Sequence, residues 1–270
     1  MSALKQTLKN RLPAPVYNVL REGRDAAVRA AMWPSSALHP WRRDSIERLA
    51  ALRDKHRGQR CFIIGNGPSL KQTDLSRLKG EFTLGQNRIY LAFPEMGFQT
   101  SYFLSVNDLV VEQFAHEIAD LSMPRFVSWR ARRWLKPQEN LYFIHTTYTG
   151  EKFATDIRGR VWEGGTVTYT SMQVAYYLGF EQVILVGVDH NYVTQGTPNA
   201  TVVSEGDDPN HFHPGYFGKG YRWQLPDIAQ WEEAYRLARR TYEAAGRSVI
   251  DATIGGKLRV FERVDYDSLF

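Results

Sequence analysis

Gly65-Asn66-Gly67-Pro68-Ser69 is the first stretch of the chain whose residue types could do chemistry. It follows a short apolar run, Cys61-Phe62-Ile63-Ile64, and precedes residues 70–78, which have helical character. Two glycines allow a tight turn and a close approach of backbone to ligand, and a helix N-terminus offers free N–H groups to an anion. Ser69 stands where it can cap that helix, and Asn66 where its amide can donate to a phosphate or carboxylate. Leu70 occupies the third glycine position of a dinucleotide fingerprint, and no Gly-Lys-Ser/Thr follows as in a Walker loop. A plain strand-to-helix turn with a capping serine is the simpler alternative.

Two further asparagines hold corresponding places. Asn87 follows the apolar run 82–85, and Asn107, with Asp108, follows 102–106. Singly, each reads as a turn residue. Together Asn66, Asn87 and Asn107 at successive strand ends would face one edge, and amides there suit a neutral polar ligand such as a nucleobase or ribose. The segment Gly164-Gly165-Thr166-Val167-Thr168-Tyr169-Thr170 leads into another helix, so Thr166 and Thr168 form a second cradle for phosphate or carboxylate. Asp189 ends the run 183–188 and is suited to a ribose, a metal or the cap of a loop.

Residues 191–226 are rich in Gly, Pro, Asn, Asp and His with little periodicity, as in a lid or binding loop. This lid carries Asp207, Asp208, His211 and His213, then Tyr216, Lys219, Tyr221 and Arg222. Histidine is a base near pH 7, and Tyr, Lys and Arg can neutralise a departing phosphate. His-x-His with acidic neighbours also admits a divalent metal, though no third ligand has convincing spacing. A loop that is merely polar is the alternative.

The elements that must position these residues follow from the remaining pattern. Apolar runs recur at 82–85, 102–106, 125–129, 141–144, 183–188 and 248–251, with helical segments at 109–121, 168–178 and 228–245 between several of them. Such alternation predicts an α/β fold, a mostly parallel sheet flanked by helices. Three basic helices should precede it. Leu4, Leu8 and Leu12 form a stripe ended by Pro13 and Pro15; a second helix covers 16–32 and breaks at Trp33-Pro34-Ser35-Ser36; a third covers 45–56. The expected division is a basic helical segment over 1–57, a catalytic domain over 58–256 and a tail over 257–270.

Composition bounds the rest. The 270 residues are 43% hydrophobic and 23% charged, enough for a real core without disulfide or metal staples. A lone cysteine, Cys61, fits a reducing cytosol. There is no apolar run of spanning length, and the first residues lack the apolar core of a signal peptide, so a soluble cytoplasmic protein is expected. The net charge of +5 is uneven: residues 1–60 hold 13 Lys/Arg against 5 Asp/Glu, the others 21 against 24. That argues against a nucleic-acid partner and leaves a basic N-terminal segment able to touch an anionic membrane surface peripherally, or simply to present a solvated face.

At these motifs the chain resembles the bacterial sialyltransferases that use CMP-activated sialic acid. It also resembles the broader MptE-like domain family, which includes motility accessory factor glycosyltransferases and an archaeal pterin pyrophosphokinase. Residues 58–255 carry the resemblance through FIIGNGPSLKQTDLSRL, through Asn87 of LGQNRIY, through VNDLVVEQF and through GTVTYTSMQVAYYLGFEQVILVGVD. The order of GNGPSL, an asparagine after the next strand and Asn-x5-Gln-aromatic (Asn107, Gln113, Phe114) after the one beyond is fairly specific.

The resemblance implies a Rossmann-like, GT-A-like fold in which Gly65 to Ser69, Pro68 included, wraps CMP. Asn87 and Asn107 would contact nucleotide or donor sugar, and Thr166–Thr168 the cytidine and donor. A lid histidine would serve as base and tyrosines would hold the leaving phosphate, without a metal or other cofactor. Several positions depart from the pattern. The tyrosine expected just after Asp189 is Asn191, with Tyr192 one residue on; His211 and His213 compete for the base, and Tyr216 and Tyr221 for the phosphate. The basic residue expected before Thr166 is Gly164, with Arg158 and Arg160 nearby.

The expectation is therefore a glycosyltransferase moving an acidic, sialic acid-like sugar from a CMP donor to a glycan or lipid-linked acceptor. One alternative is a Mg²⁺-dependent pterin pyrophosphokinase using ATP, with Asp189, Asp207 and Asp208 around the metal. Another is a non-catalytic nucleotide-sugar-binding protein, indifferent to loss of both lid histidines.

Overall fold

The computed structural model describes residues 13–193 and 196–270; the helix expected over Leu4–Leu12 lies outside them. The described chain opens on α1 (Ala14–Leu38) and α2 (Pro40–Ala50). Pro13 and Pro15 stand at the start of α1, where a proline in the first turn sacrifices no helical bond. The break expected at Trp33-Pro34 does not occur. Pro34 lies inside α1, about one turn from its end, and the hydroxyls of Ser35 and Ser36 donate back to the carbonyls of Met32 and Trp33. The chain turns instead at His39, which takes the extended conformation favoured before Pro40 and accepts the Trp41 N–H on its ring.

The strands are β1 (Arg60–Ile64), β2 (Phe82–Gln86), β3 (Tyr102–Ser105), β4 (Arg125–Ser128), β5 (Leu141–Thr147), β6 (Arg160–Trp162) and β7 (Gln182–Val186). A lid hairpin, β8 (Thr201–Val203) and β9 (Arg222–Gln224), follows, then β10 (Ser248–Asp251) and β11 (Glu262–Arg263). Nine of them form one parallel sheet in the order β11-β10-β7-β1-β2-β3-β4-β5-β6, and β8 and β9 pair antiparallel. The interior strands are buried on both faces, as parallel strands under helices must be. In β1, Ile63 joins one core with Leu84 and Leu104, while Phe62 and Ile64 join the other with Phe103 and Val127.

The remaining helices are α3 (Phe93–Met96), α4 (Asp108–Gln113), α5 (Ala115–Asp120), α6 (Val167–Leu178) and α7 (Ile228–Ala244). The first core packs under α6 and α7, the second under α4, α5 and the lid residues Phe212, Tyr216 and Phe217. Two expected helices are subdivided. Residues 70–78 form two 3₁₀ turns, Pro68–Gln72 and Leu75–Leu78, because Thr73 is extended between them and Asp74 caps the second by accepting from the Ser76 N–H. The helix expected over 109–121 is broken at Phe114, whose backbone leaves the helical region between α4 and α5. β6, β8, β9 and β11 are two or three residues long, too short to imprint a periodicity on the sequence.

Candidate functional site

From β1 the chain builds the sheet outward through β2 to β6, then returns to add β7, β10 and β11 on the other side of β1. The order thus reverses between β1 and β7, where loops leave the strand ends in opposite directions and open a crevice. A cavity of about 530 Å³ lies there, walled by the ends of β1, β2, β3 and β7, the start of α6, and the lid.

The turn after β1 is shaped by the loop after β7. A Cβ on Gly65 would fall 2.3 Å from the Gly187 carbonyl oxygen, and one on Gly67 would fall 1.8 Å from Asp189 Oδ2. Both positions need glycine because of this close approach. The Asp189 carboxylate accepts from the Ser69 N–H (3.0 Å) and the Ser69 hydroxyl (2.6 Å). Burial raises Asp189 above the ordinary carboxylate range, and the Ser69 bonds oppose the rise. The free N–H groups expected for an anion at Ser69 are therefore partly occupied, and Ser69 lies inside the 3₁₀ turn rather than at its cap. Pro68 and Ser69 support the turn from outside the cavity wall, whereas Gly65, Asn66 and Gly67 line it.

Asn66 presents a different atom from the one expected. Its Nδ2 donates to the Gln86 carbonyl (3.1 Å), and its buried Oδ1 has no partner among the described residues. Asn87 has a left-handed backbone (φ 48°), which asparagine tolerates, and its Oδ1 accepts from Ser105 at 3.0 Å. Asn107 lines the cavity but is also the N-cap of α4, its Oδ1 accepting from the N–H groups of Leu109 and Val110. Thr166 caps α6, and Thr168 donates to Gln86 Oε1 at 3.1 Å. The first turn of this 12-residue helix opens on the cavity.

The lid separates the two histidines. His211 lines the cavity, its Nδ1 lies 2.7 Å from Asp208 Oδ2, and its ring stacks on Tyr216 at 4.0 Å. Asp208 also accepts the backbone N–H groups of Asn210 and Phe217. His213 is not among the residues that line the cavity, and its Nδ1 accepts the Gly215 N–H. Tyr192 and Tyr216 border the cavity, and burial raises both phenols. Tyr221 packs on Phe114 outside it, Gln113 clamps the backbone of Arg222, and Arg222 pairs with Glu112 at 2.9 Å. The lid cations thus stand outside: among the described residues no Lys or Arg lines the cavity. Arg158 and Arg160 also lie elsewhere, on a second cavity.

Several residues here were not singled out from the sequence. Glu163 is in the wall, bound by Arg130 Nη2 at 2.6 Å; burial raises its carboxyl and Arg130 opposes this. Arg130 also donates to Asp108, Thr146 and Tyr148. His190 and Trp231 line the cavity too, and buried His190 Nδ1 and Trp231 Nε1 lack partners among the described residues. Burial lowers His190, with Glu232 opposing. Glu163 and His190 adjoin the motifs at Gly164 and Asp189, whereas Arg130 and Trp231 lie at none; long-range packing brings the four together. As for a metal, Asp189 is engaged by Ser69, Asp208 by His211, and Asp207 is exposed. No group of three or more His, Cys, Asp or Glu with metal-binding geometry occurs among the described residues.

A structure of a MAf glycosyltransferase from Magnetospirillum magneticum AMB-1 aligns with 91% of this chain and 42% of its own, at 17% identity and a TM-score of 0.47. The chain thus spans less than half the length of that protein. No curated protein matches the sequence. Residues 40–195, more than half of the chain, match the family described as 6-hydroxymethylpterin diphosphokinase MptE-like. The chain belongs to the MptE-like family.

Proposed function

We propose that the protein is a glycosyltransferase whose donor is a CMP-activated acidic sugar and whose acceptor is a glycan or lipid-linked hydroxyl. The carrying observation is that His211, held at Nδ1 by Asp208 behind it, lines the same cavity as Asn66, Asn87, Gln86 and the start of α6. The unpartnered Asn66 Oδ1, His190 Nδ1 and Trp231 Nε1 support a polar ligand there, because buried polar atoms are seldom left unpaired. In this reading the amides hold the nucleoside. Asp208 fixes the proton of His211 on Nδ1, so Nε2 takes the acceptor proton as the acceptor oxygen bonds to the anomeric carbon. The bond from that carbon to the phosphate oxygen breaks and CMP departs with the electron pair. With no Lys or Arg in the wall among the described residues, phosphate stabilisation falls to the α6 N–H groups, Tyr192 and the Trp231 N–H.

The experiment is a transfer assay with CMP-linked nonulosonic and ulosonic acids, comparing the unmodified protein with His211→Ala and His213→Ala. Loss of turnover in the first variant alone supports the reading; full turnover in both and in the double variant removes histidine catalysis.

The family's description favours a second reading, diphosphate transfer from ATP to a pterin. Mg²⁺ in such a reaction is held by carboxylates with substrate phosphates. Asp189, Asp207 and Asp208 are not gathered for that purpose, so the described residues fit a metal poorly. We further propose that the basic N-terminal segment rests on an anionic membrane surface. Among the described residues no helix is long and apolar enough to cross a membrane.

A further inference from the structure

A second cavity, of about 420 Å³, lies between the two N-terminal helices and the β5–β6 edge of the sheet. α1 contributes Arg29 and Trp33 to its wall, α2 contributes Arg42, and the sheet edge contributes His145, Arg158 and Arg160. His145 and Arg160 are register partners on adjacent parallel strands, so they project from the same face.

The polar groups of this wall are incompletely satisfied. Arg42 is 1% exposed, and its Nη2 donates to the Arg158 carbonyl, but Nε and Nη1 have no partner among the described residues. Buried His145 Nδ1 has none either. Leaving buried donors unpaired is costly, most of all on a charged group. The charges are unbalanced as well. Arg158 pairs with Asp156 at 2.6 Å, but Arg29, Arg42 and Arg160 form no ion pair among the described residues. Arg29 and Arg160 donate instead to neutral oxygens of Thr147, Thr149 and Gly150. Burial lowers Arg42 to about 10, and burial followed by the charges of Arg42, Arg160 and Arg130 lowers His145 to about 4.

We propose that this cavity binds a phosphate or phosphate ester, with Arg42 at its base and Arg29, Arg160 and His145 around the oxygens. Three guanidinium groups without an ion pair among the described residues, Arg42 and Arg160 feeling Asp156 and Glu151 only at longer range, match a phosphate dianion better than a single carboxylate, and guanidinium donors suit its oxygens. Trp33, Ala37 and Ile46 supply an apolar wall for the esterified group, and the volume lies in the range of small-ligand pockets. The site is independent of what occupies the first cavity. The loop after β5 separates the two, with Tyr148 on the first and the Arg29 and Arg160 contacts to Thr149 and Gly150 beside the second.

The test is calorimetric titration of the full chain with inorganic phosphate, alongside Arg42→Gln and the double variant Arg29→Gln/Arg160→Gln. The double variant alters partly exposed side chains and keeps the test sound if Arg42→Gln fails to fold. Saturable binding weakened tenfold or more in the folded variants is expected. No saturable binding, or unchanged affinity in the double variant, overturns the site. Flotation with phosphatidylcholine vesicles carrying phosphatidic acid then separates the sources. Flotation that is competed by phosphate and lost in the double variant supports the site with a lipid phosphate as its ligand. Phosphate binding without such flotation supports it with a soluble phosphate ester.

Discussion

Asp208 distinguishes the two lid histidines. Both belong to one His-x-His run, and their spacing gives no reason to prefer either; the difference arises because the lid brings the Asp208 carboxylate against His211 Nδ1 while His213 Nδ1 is taken by the Gly215 N–H. His211→Asn should therefore lower turnover by about 10²–10⁴ while CMP affinity stays within threefold. His213→Ala should retain turnover; kcat and Kd measured separately check both. Gly67 was legible as a turn residue, but the reason for it is the Asp189 carboxylate, 122 residues away in sequence. Gly67→Ala should destabilise by about 1–3 kcal/mol in urea denaturation, since the methyl displaces the carboxylate from Ser69. His145 gives a pH signature. The unfolded chain protonates this ring near pH 6.5 and the folded chain only near 4, so between these values the unfolded state binds more protons and stability falls as pH falls. The loss is bounded at roughly 3 kcal/mol. Stability of His145→Gln relative to the unmodified protein, measured at pH 7, 5.5 and 4.5, should rise by up to that amount.

At the scale of elements, the interior strands and α6 were legible as nearly continuous buried runs, and α7 as a helix burying Ala234, Tyr235, Ala238 and Tyr242 at helical spacing. The 3₁₀ turns after β1, the break at Phe114 and the hairpin β8–β9 were not, since side-chain caps and tertiary contacts fix them. The lid is the clearest case. Its sequence is irregular, yet Arg88 holds it by donating to the carbonyls of Gly215 (2.8 Å) and Tyr216, with its guanidinium over the Phe114 ring at 3.8 Å. Gln113, the glutamine of the Asn-x5-Gln-aromatic motif, clamps β9 through the Arg222 backbone. Arg88→Ala should cost about 2–3 kcal/mol by leaving those carbonyls unpaired. It should also open residues 205–220 to limited proteolysis and raise KM; a lid as resistant as in the unmodified protein would contradict the role of Arg88.

Across the whole molecule, the parallel α/β architecture could be read from alternating apolar runs and helices, but the strand order could not. The reversal between β1 and β7 assembles the cavity, and it exists only in the folded sheet. It brings the turn at Asn66, the helix start at Thr166 and the loop at Asp189 onto one edge, and the lid adds His211 from above. The same folding carries Arg158 and Arg160, close in sequence to Thr166, to a different cavity. The first cavity should take a cytidine nucleotide without a metal, a claim checked by calorimetric titration of the full chain with CMP in the presence of EDTA. Saturable one-to-one binding, unaffected by added Mg²⁺, is the predicted result. No heat with CMP, together with saturable binding of ATP that requires Mg²⁺, would contradict the claim and favour diphosphate transfer.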